Sequence, residues 1–365
     1  MKPRVSVIIV SWNALPLLRQ CLPSVAATRY DNLEIILADN ASTDGSAEWV
    51  GRAFPQVKIV RHPENWAFCR GNNEAVAHAT GAYVVFLNND VETPPDWLDP
   101  LVDVMERSPD VGAVQPKLLQ YEDRRRFEYA GGAGGYLDRY GYPFTRGRIF
   151  FTMEEDHGQY DDARDVFWAT GAALLLRRAA LDDVGLFDER FFMHMEEIDL
   201  CWRLWRRGWR VFVEPKSVVH HIGGGSLPQG DPRKVYFNFR NNLLTLYKNL
   251  PPSAWLRTFP FRAALDAAAA LRAALGRRPA EAAAIFRAYR DAHRMRAFYR
   301  DQRPNPDEPP VLPPYRGSIV VDYFLRGRRH FSDLPPERFR PPWNAPERIE
   351  APRKIQANEP GRATP

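Results

Sequence analysis

The sequence predicts an α/β fold, with a mostly parallel central sheet, helices on both faces and a C-terminal helical extension. Three observations predict it. Short β-branched runs at 5–10 and 33–38 have the unbroken apolar character of strands buried on both faces. Helical stretches separate these runs, so strand and helix alternate through residue 90. Composition then shifts at Pro251 to sequence rich in Ala, Arg and Leu.

The elements follow in order. The first strand ends at the polar turn 11–13 and leads to a helix over about 15–27. The second ends at Asp39, and the polar turn 39–46 opens a helix over 46–54. A third strand covers 57–61, a helix 71–79, and a fourth strand 83–87, which ends at Asn88-Asn89-Asp90. The segment 115–165 is less regular and reads as mixed strands and loops. A strand at 172–177 follows, then a turn at 183–187, a helix over 195–207 and short strands at 211–213 and 218–219. His220-His221 precedes a glycine-rich loop, 223–225, and a helix covers 232–249. Pro279 divides two helices within 262–300. The last 65 residues hold 14 of the 32 prolines, which predicts extended or partly disordered chain with one strand-like island at 318–325. The domain division is therefore 1–250, a helical extension 251–300 and a Pro-rich tail 301–365.

Bulk properties exclude several classes. The chain has 365 residues, 45% of them apolar, enough for a sizeable core. Its 50 basic and 45 acidic residues leave a net charge of only +5, which argues against nucleic acid as the main partner. Cys21, Cys69 and Cys201 lack disulfide or zinc spacing and read as reduced, buried thiols of a cytosolic protein. No apolar leader precedes the first strand, and no apolar run reaches the roughly 18 residues of a membrane span, so a cytoplasmic location is expected. Residues 251–300 are the exception to the even charge, with ten Arg against three acidic residues. They could lie on an anionic membrane surface, or form a solvated cap or dimer contact.

In open α/β sheets, ligands bind outside the carboxyl ends of the strands. Here those ends carry Ser11, Asn13, Asp39 and Asp90, which marks a nucleotide site. Asp39 is placed to accept hydrogen bonds from a ribose or base, while Asp44 and Ser46 read better as helix caps. Asp90 offers one hard oxygen ligand for a divalent cation, with a diphosphate supplying others; a plain polar turn is the competing reading of 88–90. Glu196 and Glu197 open a helix whose apolar face carries Met195, Ile198, Trp202 and Trp205. Either carboxylate could take a proton from a hydroxyl, or be ordinary first-turn charge. His220 or His221 could ligate a metal ahead of a phosphate-contacting glycine loop. Arg70, in the loop segment 65–73, and Arg240 with Asn241, on a later helix, are candidate phosphate or base contacts.

Taken together, these segments resemble the inverting GT-A glycosyltransferases of family 2, and within them the rhamnosyltransferase-like branch. The segments 5–13 leading to 39–46, then 65–73, then 86–90 with Pro95-Asp96-Trp97-Leu98, and 171–221 with Phe191-Phe192-Met193-His194-Met195-Glu196-Glu197-Ile198-Asp199-Leu200, occur in the family's order. The resemblance implies a GT-A fold with a Rossmann-like sheet. It implies a nucleotide-diphosphate sugar donor (dTDP-rhamnose or a UDP-sugar) and Mg²⁺ or Mn²⁺ as cofactor. A glycan or lipid-linked acceptor in cell-surface polysaccharide synthesis is implied as well. On this pattern Asp39 lies at the base or ribose with Arg70 nearby, and Ser11, Asn13, Asn88 and Arg240 are the further candidate nucleotide contacts that the residues themselves offer. Asp90 and His221 (or His220) hold the metal, and Glu197, with Glu196 as fallback, is the base. Two positions depart from the pattern: Asn88 stands where many relatives have Asp, and Glu197 where the family has Asp. These departures feed an alternative, a weakened nucleotide-sugar-binding or scaffold protein. A nucleotidyltransferase ranks lower, because residues 8–20 contain no Gly and only one Arg.

Overall fold

A computed structural model describes residues 2–223, 231–305 and 309–342. In chain order the elements are β1 (Val5–Ser11), α1 (Leu15–Ala26), β2 (Leu33–Asp39), α2 (Ser46–Ala53), β3 (Lys58–Arg61), α3 (Ala67–Val76), β4 (Tyr83–Asn88), β5 (Val91–Glu92), α4 (Leu98–Arg107) and β6 (Val111–Gln120). Then come β7 (Gly135–Leu137), β8 (Pro143–Thr145), β9 (Arg148–Ile149), β10 (Thr152–Met153), β11 (Arg164–Asp165), β12 (Ala173–Arg177), α5 (Arg178–Val184), α6 (Glu196–Arg206), β13 (Arg210–His221), α7 (Pro232–Asn249), α8 (Pro252–Leu275), α9 (Pro279–Met295) and α10 (Ile319–Phe324).

The large sheet runs β11-β13-β6-β12-β4-β1-β2-β3, with β5 added alongside β13. Strands β3, β2, β1 and β4 are mutually parallel; β12 enters antiparallel between β4 and β6, and β13 runs parallel to β6. Apolar side chains from alternate strand positions feed two cores, one on each face. Ile8, Ile36 and Phe86 pack beneath α3 and α6, while Val7, Leu37 and Val85 pack beneath α1 and α4. This alternation along a two-sided strand is why the runs read as continuously apolar.

The predicted mostly parallel sheet is present, and the differences from expectation have physical causes. Strand β6 is flanked by strands on both sides although it contains Pro116; the missing donor falls where β13 bulges between Glu214 and Val218. That bulge also explains why β13 reads in the sequence as two short strands. The expected strand at 318–325 is instead the helix α10, with Ser318 Oγ accepting from the Val321 N–H at 3.3 Å. Its β-branched start overrode the cap in the sequence reading. The segment 309–342 is not a loose tail: Tyr315, Phe331 and Phe339 pack on Tyr136 and Phe144 of the small sheet β10-β9-β8-β7. The expectation of disorder at the far C-terminus falls on 343–365, outside the described residues.

Candidate active site

A cleft of about 1160 Å³ opens at the carboxyl ends of β1 and β4. Its walls come from distant parts of the chain: Asn13, Asn88 and Asp90 from the sheet edge, Glu196 and Glu197 from α6, and His221 from the end of β13. A volume of this size suits a ligand larger than a single sugar.

The sheet-edge side is built by side chains closing on main-chain groups. Asn13 adopts a left-handed conformation, φ 46°, donates its N–H to Ser42 Oγ at 3.0 Å and accepts from the Thr43 N–H at 2.8 Å. Asp44 accepts the N–H of Leu15 and of Ser46, joining the starts of α1 and α2, which is its capping reading. Asp39 and Ser11 are registered side by side at the ends of β2 and β1, and both are buried. Neither lines the cleft. Asp39 accepts the Ser42 N–H at 3.3 Å, and Ser11 Oγ accepts from Asn89. Asn40, next to Asp39, lines the cleft instead; it is fixed by His62 Nδ1 at 2.8 Å and by its own bond to the Ala67 carbonyl. Arg70 stacks over Trp66, which stacks on His62, and pairs loosely with Glu74. It too stands outside the cleft lining.

On the next side, Asp90 and His221 face each other, with Asp90 Oδ1 3.0 Å from His221 Nε2. The other ring nitrogen, Nδ1, lies 3.3 Å from Glu128 Oε1. All three side chains are buried. Burial by itself would raise the Asp90 pKa, but the facing imidazolium and its hydrogen bond hold it below the usual carboxylate range. Burial likewise works against a charged His221, yet the two flanking carboxylates push its pKa up to about 10. Asn88 Nδ2 lies 3.4 Å from the same Nε2 and adds no charge. His220 points the other way, toward Glu92 at 3.7 Å, so of the two histidines His221 reaches the cleft. Gly223 borders it, and residues 224–225 of the glycine run lie outside the described residues.

The fit of this pair to a divalent cation can be tested on distance. Two ligand atoms cis on a six-coordinate ion, each about 2.1 Å from it, lie about 3.0 Å apart. The Asp90–His221 separation of 3.0 Å, a hydrogen bond to the protonated ring, also equals that spacing, so a cation would take the place of the shared proton and leave His221 neutral. No group of three or more His, Cys, Asp and Glu side chains among the described residues is arranged to hold a metal. The residues therefore fit a cation that shares its ligands with a bound phosphate rather than one caged by protein alone. Glu128 would act behind them, fixing the tautomer and orientation of His221.

Opposite lies the start of α6. Phe192, His194 and Met195 all have positive φ, from 67° to 71°, an uncommon conformation for residues with side chains. The turn is held from behind by α7. Arg240 donates to the carbonyls of Arg190 and Phe191, both at 2.9 Å. Asn241 Nδ2 donates to Phe191, Met193 and His194 carbonyls at 2.9, 2.8 and 2.8 Å. Arg240, expected at the nucleotide, is thus buried in main-chain bonds and does not line the cleft. The turn aims Glu196 and Glu197 inward. Glu196 Oε2, Glu197 Oε2 and His194 Nε2 are shut off from solvent with no hydrogen-bond partner among the described residues. Burial raises Glu197 to about 7. Burial and then the charge of Glu197 push Glu196 well above its ordinary value. One carboxyl of the pair keeps its proton while the other stands ready to accept one near neutral pH. Burial and Lys234 depress His194 to about 4, so its ring is neutral.

Three contributors escaped sequence reasoning. Glu128 and Tyr129 sit in the irregular middle segment with no motif around them, and Lys234 follows a helix cap that hid its position at the cleft. The only sequence signal was the acidic-aromatic pair Glu128-Tyr129 beside the glycine run at 131–135.

A mostly parallel sheet with an acidic, histidine-bearing cleft at its carboxyl edge and carboxylates across from it defines a GT-A glycosyltransferase. The fold is shared with solved structures. The mannosyltransferase PcManGT from Pyrobaculum calidifontis, in complex with GDP-Man and Mn²⁺, matches 82% of this chain and 79% of its own at a TM-score of 0.50 and 20% identity. GalNAc-T7 with UDP, GalNAc and Mn²⁺ matches 68% of this chain and 48% of its own at 0.55 and 17%. At those identities the likeness speaks for the fold. Sequence relatives are more specific. The N-acetylglucosaminyl-diphospho-decaprenol L-rhamnosyltransferase of Mycobacterium tuberculosis is 30% identical over 234 residues, 59% of this chain and 75% of the relative. The O-antigen biosynthesis protein RfbC of Myxococcus xanthus is 33% identical over 245 residues, 64% of this chain but 18% of that protein. The family model for Glycosyl transferase family 2 matches residues 6–185. The chain belongs to glycosyltransferase family 2 and is related to its rhamnosyltransferases.

Proposed function

We propose that the protein transfers a sugar from a nucleotide-diphosphate sugar, dTDP-rhamnose or a UDP-sugar, to a hydroxyl of a glycan or lipid-linked acceptor, with inversion at the anomeric carbon. The observation that carries this reading is the convergence of Asp90–His221 and Glu196–Glu197 on one cleft. The names of the sequence relatives, a rhamnosyltransferase acting on a diphospho-decaprenol and an O-antigen biosynthesis protein, support a place in cell-surface polysaccharide synthesis.

In this reading the nucleotide lies along the ends of β1 and β2, against Asn13, Asn40 and the Asp39 turn. Exposed Trp12 offers a stacking face at the mouth. The diphosphate lies toward Asp90 and His221, with Lys234 facing the same cleft. Glu197 takes the proton of the acceptor hydroxyl as its oxygen bonds to the anomeric carbon; the bond from that carbon to the diphosphate oxygen breaks, and a nucleoside diphosphate leaves. Glu197 suits the task better than Glu196 because it is the less buried of the two. Glu196, kept protonated, lowers the negative charge beside it. A Mg²⁺ or Mn²⁺ held by Asp90 and His221 would offset the charge that develops on the leaving diphosphate. Arg240 and Asn241 serve by holding the turn that aims the glutamates, not by touching the donor.

The test is a turnover screen: dTDP-rhamnose and a panel of UDP-sugars with Mn²⁺, with and without polyprenyl-diphospho-sugar and free glycan acceptors, following release of nucleoside diphosphate. Metal-dependent, acceptor-dependent release is expected. Binding without release across the panel would favour the scaffold reading instead.

A further inference from the structure

The helix α8 is apolar on two sides. Its inner side packs Trp255, Ala270 and Ala273 onto its neighbours, and the buried pair Arg262–Asp266 lies on the same side. Its outer side should then be polar, as on any surface helix with one buried face. Instead Leu256, Pro260, Ala264, Ala267, Leu271 and Leu275 follow one another at intervals of three or four residues, and all are exposed. Leu256, Leu271 and Leu275 are 70%, 60% and 76% accessible. At 24 residues the helix is about 36 Å long, and this stripe runs its whole length.

The patch extends beyond the helix. Arg272 lies over the rings of Phe151 and Phe324, at 5.6 and 5.9 Å. Both rings are exposed, and so is neighbouring Leu325, at 80%. Exposed apolar surface of this extent marks an interaction site.

Charge identifies the partner. Within 251–300, Arg257, Arg272, Arg277, Arg278, Arg287, Arg290, Arg294 and Arg300 are exposed, whereas Asp266 is buried and Glu281 and Asp291 are half-buried beside arginines. Arg326 and Arg329 are exposed beside Phe324 and Leu325. No helix among the described residues is long and apolar enough to cross a membrane. We infer that α8, with Phe151, Phe324 and Leu325, docks the protein flat on an anionic lipid surface. Leucines and phenylalanines enter the acyl boundary, and arginines meet the headgroups.

The geometry also links this surface to the cleft. Ala270 and Ala273 of α8 pack with Val235 and Phe239 of α7, and Arg233, Lys234 and Phe237 on the neighbouring face of α7 line the cleft. The docked surface is therefore one helix away from the site. The inference stands on the surface alone and does not depend on which sugar or acceptor the cleft takes.

The experiment is vesicle co-sedimentation of the full chain with phosphatidylcholine alone and with about 30% phosphatidylglycerol. Sedimentation with the anionic vesicles, weakened by salt, is expected. A Leu256→Asp/Leu271→Asp/Leu275→Asp variant should partition at least about tenfold less, as should Arg257→Glu/Arg272→Glu/Arg277→Glu. All six positions are exposed, so thermal unfolding of each variant should match the parent, and the arginine variant keeps the test open if the leucine one misfolds. Parent protein left in the supernatant, or leucine and arginine variants that sediment as well as the parent, would overturn the inference. So would light scattering that shows a dimer for the parent and a monomer for the leucine variant, since the stripe would then face a second copy.

Discussion

Replacing Glu197 by Gln should separate activity from stability in opposite directions. The Glu197 carboxyl is raised from 4.5 to about 7 by burial, with Oε2 shut off from solvent and unpartnered. Gln keeps the shape and removes the titrating proton. If Glu197 is the base, loss of it should cost about 100- to 10,000-fold in turnover. In the parent the base is the ionised form, so kcat/KM should fall as pH drops through 7. A group with a pKa near 7 is about 9% ionised at pH 6 and about 91% at pH 8, a rise of about tenfold. The stability effect has the other sign. The folded pKa lies above the unfolded one, so the folded state is favoured below about 4.5 and loses stability as pH rises toward 7. That loss amounts to as much as about 3 kcal/mol. Glu197→Gln does not ionise, so its thermal midpoint should exceed the parent's at pH 8 and match it near pH 4.5. Nucleoside diphosphate release gives the first readout, and thermal unfolding at the two pH values gives the second without any substrate. Parental turnover in the variant, or a midpoint difference independent of pH, would refute the assignment.

Three further outcomes are expected. Glu128→Gln should weaken Mn²⁺ binding in the presence of UDP by about tenfold or more, by titration calorimetry, because His221 loses the carboxylate that orients it. Asn241→Leu should remove the donor shared by three main-chain carbonyls, lowering stability by about 1–3 kcal/mol and lowering turnover with it, as read by denaturant unfolding and by release assay. Burial opposes ionisation of Asp199, but Lys248 and Arg203 outweigh it and set its pKa at about 2. Its contribution is therefore present above 3.8 and lost as pH falls through 2. Asp199→Asn should cost about 3–5 kcal/mol at neutral pH in denaturant melts, by leaving Lys248 and Arg203 short of a buried partner.

The parts of the fold legible in the sequence are those whose signals are local. Strands β1, β2 and β4 announce themselves because burial on both faces demands unbroken apolar runs, and the polar residues that close them mark the sheet edge. Glu196 and Glu197 were visible because a helix start with an apolar face is a local pattern. Strand β6 was not, because Pro116 argues against a central strand and only the bulge in β13, distant in sequence, makes room for it. The turn at 192–195 was equally hidden. Its three left-handed residues have no glycine to signal them, and the bonds that stabilise them come from Arg240 and Asn241 on α7. Arg240 reads as a phosphate contact because an arginine near a glycine loop looks the same in sequence whether it faces a ligand or a carbonyl. Glu128 had only neighbouring Tyr129 and the glycine run to mark it, because its partner His221 is nearly a hundred residues away at the end of β13.

The proposed function depends on Asp90 and His221 forming, with a bound diphosphate, one cation-dependent nucleotide site in the cleft. Titration of UDP and dTDP into the protein, with Mn²⁺ and with chelator, tests it most directly when run in parallel on Asp90→Ala. Binding that requires Mn²⁺ in the parent and disappears in the variant is expected. Equal binding with chelator, or in Asp90→Ala, would contradict it.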